Sequence, residues 1–379
     1  MKYFALLWAN LKRKKIRTTL TIGSFLIALM LYGVLAAVHA AFYQGVEVAG
    51  TDRLVVINRV SLIQPLPLSY RERLLQLDGV KAVTHASWFG GVYQDERNFF
   101  PQFAIETESY RQMFPEFAIP DDQWAAFAAD RQGCVVGAAT ARRYGFKLGD
   151  RVPIKGTIFQ GTWEFNVRAI YRGTRQGDDE TQFWFHKKYL EENGPAFFRG
   201  LVGWYTVKVS NPDQATAVGK AIDDRFANSS YETKTEPEKA FAAAFVKQMG
   251  NIELLILTIG GVVFFTLLLV TANTMATSVR ERTSELAVLK TVGFSDLFVL
   301  GMVLAESVVI ALQGGLLGVL AAVAIAPGLS QAMPGMTFFV PTWDLVLGVG
   351  LTVLVGLVAG LVPAWSAMRL RVVDALRRV

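Results

Sequence analysis

A single cysteine, Cys134, in 379 residues excludes an intramolecular disulfide, so the fold is held by packing alone. The three histidines, His39, His85 and His186, are scattered, and with one thiol they exclude the clustered ligand spacing of a structural zinc site. No Gly-x-x-x-x-Gly-Lys-Ser/Thr run occurs, so no phosphate-cradling loop of that kind is present. No nucleophile–base set and no metal set stands out. Catalytic residues are therefore expected to be none, and metal ligands none. No repeat period is found.

What the sequence does have is length without charge. Four apolar stretches, 18–41, 252–277, 297–326 and 343–361, reach the roughly 20 residues a helix needs to cross a bilayer. The third, at thirty residues, would measure about 45 Å as a helix, so it tilts or projects. The first has a basic flank and a Val38-His39-Ala40 sequence, the pattern of a cleaved signal peptide. Its 24 apolar residues exceed the about 7–15 of such signals, which favours an uncleaved anchor.

Basic residues crowd the segments between and beyond the stretches. Lys2, Lys12, Arg13, Lys14, Lys15 and Arg17 precede the first, Arg280, Arg282 and Lys290 follow the second, and Arg369, Arg371, Arg377 and Arg378 follow the fourth. Four spans place these 13 cations on one side, which the positive-inside rule makes the cytoplasm. The segment 42–251 is neutral, with 25 Lys/Arg against 25 Asp/Glu, and lies outside; the turn after the third stretch carries no charge. The expected protein is a multi-pass protein of the cell inner membrane with both termini cytoplasmic. Its basic pI of 9.3 is a topology signal, and nucleic acid is not among its expected partners.

The predicted layout is a cytoplasmic amphipathic segment 1–17, span 18–41, outer domain 42–251, span 252–277, cytoplasmic coupling helix 278–296, span 297–326, outer turn 327–342, span 343–361 and tail 362–379. The outer domain reads as mixed α/β. Strands are expected at 54–57, 80–83, 99–105, 134–137, 150–154, 163–171 and 205–209, and helices at 68–77, 124–131, 138–144 and 213–226. Residues 237–250 have helical character and run into the second span, predicting a continuous stalk. The fold class is thus an α-helical membrane protein, four transmembrane helices with one large mixed α/β extracytoplasmic domain between spans 1 and 2.

The block Arg280-Glu281-Arg282-Thr283-Ser284-Glu285-Leu286-Ala287-Val288-Leu289-Lys290-Thr291-Val292-Gly293 is more than a polar turn requires. On a helix, Leu286, Leu289 and Val292 share one side. Arg282 and Glu285, three apart, can pair for a few tenths of a kcal/mol. Gly293 closes the helix. An interfacial anchor is expected to carry a strongly basic face; the mixed charge here suits a protein partner better. Glu306, inside the third stretch, is an intramembrane polar group, and an interhelical hydrogen bond is the expected use. Gly314 with Gly318, and Gly356 with Gly360, put small residues on one face of the third and fourth spans, where helices can pack closely.

These residues resemble a known family. Residues 279–293 are similar to the coupling segment of FtsX-like permeases of MacB-type ABC transporters. Asn10-Leu11 with 14–21, and 363–370 with Ala375-Leu376-Arg377, are similar to that family's N-terminal and C-terminal segments. The outer domain resembles the MacB-like periplasmic core domain at 133–137 and 145–152. The resemblance implies a stand-alone, DevC-like permease subunit that binds no cofactor itself, with ATP and Mg held by a separate cytoplasmic ABC ATPase. It implies ATPase coupling through Arg280, Glu281, Arg282, Thr283, Glu285, Leu286, Leu289, Lys290 and Gly293. It further implies a second permease copy, contact with membrane lipid, and a periplasmic adaptor and outer-membrane channel as further partners. The expected function is mechanotransmission for export or efflux. Alternatives are a lipoprotein-releasing permease and a non-transport regulator of a cell-wall hydrolase.

Overall fold

The computed structural model describes residues 14–175, 177–248, 251–333 and 336–370. Expectations that rest on 1–13, including Lys2, Asn10, Leu11, Lys12 and Arg13, lie outside the described residues. So do those on Arg371, Ala375, Leu376, Arg377 and Arg378. The chain divides into two compact units, one of 1–40, 251–329 and 338–379, the other of 41–250 and 330–337.

The described chain begins in helix α1 (Lys15–Val48), 34 residues long, which starts before the expected span and continues beyond it. The second unit follows. It opens with β1 (Arg53–Asn58), β2 (Leu66–Pro67), α2 (Tyr70–Leu75), β3 (Val80–Trp88) and β4 (Gly91–Val92). Next come β5 (Gln102–Ile105), α3 (Thr107–Met113), β6 (Phe117–Ala118), α4 (Asp121–Ala129), β7 (Gly133–Gly137) and α5 (Ala138–Tyr144). Then β8 (Arg151–Gly156), β9 (Gly161–Gly173), β10 (Phe183–His186), α6 (Lys187–Asn193), β11 (Leu201–Val202) and β12 (Trp204–Val209). It ends with α7 (Ala215–Phe226), β13 (Thr233–Pro237) and α8 (Glu238–Gln248).

Eleven of these strands form one mixed sheet, ordered β13-β1-β12-β3-β5-β10-β7-β9-β8-β4 with β6 on β9. β9 shows why the register holds. Trp163, Phe165, Val167, Ala169 and Tyr171 alternate with less buried residues, so a one-residue slip would turn five apolar side chains outward. β10 is covered on both faces. Phe183 and Phe185 enter one core with Val136 and Phe165, while Trp184 enters another with Val135 and Tyr171. A third core packs β1, β3 and β12 under α2 and α7, where Val218, Ile222 and Phe226 recur at helical spacing.

The segments by which 41–250 begins and ends are tied together inside this unit. Arg53, 5% exposed, gives its Nε to Glu238 at the start of α8 and an Nη to Glu116 at 2.7 Å. Its other Nη donates to the Met113 carbonyl at 3.2 Å, and the guanidinium lies over the Phe114 ring. Glu238 also accepts the Gly50 amide at 2.9 Å. A charge this deep is tolerable because each guanidinium nitrogen has an acceptor.

The remaining elements are α9 (Ile252–Glu281), α10 (Thr283–Thr291), α11 (Asp296–Ala332) and α12 (Thr342–Met368). With α1, the helices α9, α11 and α12 are long and apolar enough to cross a membrane. The expected continuous stalk is corrected. α8 ends at Gln248, and α9 starts afresh with Asn251 as its N-cap, the Asn251 side chain accepting the Leu254 amide at 3.0 Å. Asn is among the strongest N-caps, and Gly250 before it is a poor helix former. The boundaries of the outer turn also change. α11 stays helical through Pro327, and α12 through Pro363, so both outlast the apolar stretches.

Candidate functional site

The charged block forms two helices and a break. α9 runs through Arg280 and Glu281, Arg282 leaves helical geometry, and α10 takes Thr283–Thr291. The Thr283 hydroxyl turns back to the Arg280 carbonyl at 2.8 Å and closes the end of α9. At the far end Gly293, with φ of +102°, lets the chain double back. The Gly293 amide then donates to the Lys290 carbonyl and the Phe294 amide to the Leu289 carbonyl, the paired bonds of a Schellman stop.

Nine residues are too few for a helix to persist in isolation, so α10 depends on what it packs against. Leu286 and Ala287 are fully buried. Leu286 sits in a core with Met275 and Val279 of α9, Val299, Met302 and Val303 of α11, and Ala364 and Ala367 of α12; Leu289 packs at its edge. The Leu286 side chain therefore points into this unit. Of the three apolar residues that share a side, the other helices of this unit cover Leu286 and pack on Leu289, while Val292 stays 73% exposed. The side left open carries Val288, Thr291 and Val292, with Glu285 partly exposed.

Polar contacts tie this corner to every long helix of the unit. Glu281 accepts from Arg17 of α1 at 2.9 Å and from Lys14 at 3.2 Å, and Arg17 also reaches Ser278. Arg282 gives an Nη to Glu306 of α11 at 2.7 Å, with its Nε 3.5 Å from Glu285. Lys290 donates to the Met368 and Leu370 carbonyls at 2.5 and 3.1 Å, closing the end of α12, and lies 2.7 Å from Asp296 at the start of α11. Arg280 remains on the exposed side, 3.3 Å from Thr277. Glu306, expected to hydrogen-bond between helices, does so to a cation. Arg17 is read from the sequence as a topology marker and as part of the 14–21 resemblance, and its ion pair here was missed.

The small residues work within the chain. A side chain at Gly314 would meet the Ile22 carbonyl oxygen at 2.4 Å, and one at Gly318 the Leu26 carbonyl oxygen at 2.4 Å, so this face of α11 seats the backbone of α1. Gly356 and Gly360 of α12 face Ala311 and Ser307 of α11 at 3.0 and 2.9 Å, and the Ser307 hydroxyl donates to the Gly356 carbonyl. Gly315 against Thr352 and Gly33 against Ala322, both at 2.4 Å, extend the pattern beyond the two expected motifs. Among the described residues no cluster of three or more potential metal ligands occurs.

A four-span unit with an α/β domain inserted after its first span, and a braced cross-helix after its second, defines a multi-pass membrane protein of permease build. Residues 18–225 match the model of the MacB-like periplasmic core domain and 257–372 that of the FtsX-like permease C-terminal domain; the chain belongs to this family of ABC transporter permeases. It is 22% identical to an uncharacterised ABC transporter permease of Methanocaldococcus jannaschii, over 97% of this chain and 96% of that one. It is 25% identical to the macrolide export ATP-binding/permease protein MacB of Agrobacterium fabrum, over 65% of this chain but only 38% of that protein. The periplasmic region of MacB from Actinobacillus actinomycetemcomitans superposes with a TM-score of 0.38 and 14% identity, over 54% of this chain and 95% of that one.

Proposed function

We propose that this chain is the permease subunit through which a separate cytoplasmic ATPase drives the outer domain, with α10 as the element the ATPase engages. The bracing of α10 carries the reading. A force on its open side passes through Lys290–Met368 to α12, and through Arg282–Glu306 and Glu281–Arg17, at the junction with α9, to α11 and α1. The roles of Arg280, Thr283, Glu285 and Gly293 follow: surface charge at the contact, and the two stops that fix the length of α10. Leu286 and Leu289 transmit into the unit rather than meeting the partner. In this reading α10 and both termini are cytoplasmic, the membrane is the inner one, and two copies work together. Export is the direction favoured, with an adaptor and an outer-membrane channel as further partners. The chain has no catalytic role; ATP and Mg belong to the ATPase.

A photo-crosslinking residue at position 292, 73% exposed in the native chain, tests the contact. In cells expressing the cognate ATPase it should crosslink to that subunit, and the same residue at position 257 on the apolar side of α9 should not. Equal capture at both positions, or none at 292, would remove α10 from the interface.

A further inference from the structure

Between α1 and α9 lies a groove of about 860 Å³. Lys14, Lys15 and Arg17 stand at one end, and Leu20, Val270 and Thr274 line the stretch beyond. Its hydroxyls are turned away from use. Thr21, Ser24 and Thr274 each donate to the carbonyl four residues back in their own helix, at 3.0, 3.0 and 2.8 Å. The walls are therefore effectively apolar and the mouth is cationic. Glu281 is the carboxylate at that mouth, and it already accepts from Lys14 and Arg17. Three cations against one anion leave two positive charges, and both cation types keep further donors, since an ammonium has three and a guanidinium five.

We propose that this groove binds a phospholipid of net negative charge, its headgroup phosphate on Lys14, Lys15 and Arg17 and an acyl chain along Leu20 and Val270. Charge complementarity selects this occupant. The apolar flank of a second copy would have to cover the excess cations with nothing to balance them, a costly burial. A phosphate supplies the balance, and a hydrocarbon chain fills the remainder. Basic pockets between transmembrane helices are the setting in which anionic headgroups are held. The site depends only on α1 and α9 spanning the membrane, and stands whether or not α10 meets an ATPase.

The test is native mass spectrometry of the delipidated full chain, titrated with phosphatidylglycerol and with phosphatidylcholine of the same acyl chains. One phosphatidylglycerol should bind in clear preference. Each basic side chain near an anionic headgroup is worth roughly a fivefold gain in affinity, so Lys14→Gln/Lys15→Gln should lose roughly twenty-five-fold for phosphatidylglycerol and little for phosphatidylcholine. Lys14→Arg/Lys15→Arg should keep the preference. Val270→Trp fills the apolar stretch and should abolish binding with every charge in place; it decides the matter if the glutamine variant fails to fold. Equal binding of the two lipids overturns the proposal. So does displacement by inorganic phosphate, which would mark a free-anion site. A Val270→Trp variant that changes the oligomeric state and leaves lipid binding intact gives the groove to a second copy, and also overturns it.

Discussion

Replacing Glu306 by Leu removes the acceptor that Arg282 holds at 2.7 Å. The Glu306 side chain is 7% exposed and that of Arg282 15%, so the guanidinium left behind has little water to turn to. Breaking a buried pair from one side costs about 3–5 kcal/mol, most of it the stranded charge. Here Glu285, 3.5 Å from the Arg282 Nε, offers partial relief, which puts the expected loss near the lower figure, about 3 kcal/mol. Arg282→Leu strands Glu306 instead, with no second cation in ion-pair range among the described residues, and should cost about as much or more. Removing both strands nothing. The double variant should then be far more stable than the sum of the singles, with an interaction energy of about 2–3 kcal/mol. The assay is reversible unfolding of the full chain in mixed micelles, followed by helical circular dichroism across the four variants. Additivity within about 0.5 kcal/mol would refute the argument, because independent sites add to that tolerance and a shared buried pair does not.

Three further outcomes follow from the structure. Gly314→Val forces a side chain against the Ile22 backbone and should cost about 1–3 kcal/mol, whereas Gly350→Ala, with nothing within 4 Å and inside α12, should cost nothing and unfold at or above the native temperature. Arg53→Met strands Glu116 and Glu238 in the α/β unit and should lower its unfolding temperature by several degrees; adding Glu116→Gln and Glu238→Gln should recover most of the loss. Burial, with Lys187 and Arg71 nearby, pushes the His85 imidazole down to about 3, so the folded state keeps it neutral while the unfolded chain protonates it near 6.5. Stability is therefore lost as pH falls from about 6.5 towards 3, on the order of 1 kcal/mol of it by pH 5.5, and pH titration of unfolding for His85→Gln should show a flatter slope.

How far the sequence could be read depended on whether a feature was local. The four spans were legible because length and apolarity are local, and Gly293 because a helix stop is local. Gly314, Gly318, Gly356 and Gly360 were legible as packing positions, although only the fold shows that α11 seats α1 with one face and α12 with another. The strand β10 escaped because Phe183-Trp184-Phe185-His186 is buried on both faces and shows no alternation. The direction in which Leu286 points was not readable. Periodicity says that a face is apolar and leaves open whether a partner or the same chain covers it. Arg282 and Glu306 lie 24 residues apart and Arg17 and Glu281 lie 264 apart, so neither pair leaves a local mark. The stalk was misread because α8 and α9 are each helical in character, and the new start at the Asn251 cap shows only in the structure.

The central claim is that α10 receives the ATPase and passes its motion on. Val288 is half exposed on the open side of α10 and takes no part in the ion pairs that brace it. Val288→Asp should leave the fold and the membrane insertion of the chain unchanged while lowering the permease-stimulated ATP hydrolysis of the reconstituted complex at least severalfold, basal hydrolysis by the isolated ATPase being the reference. Stimulation equal to that of the native chain, with the complex intact, would contradict the account.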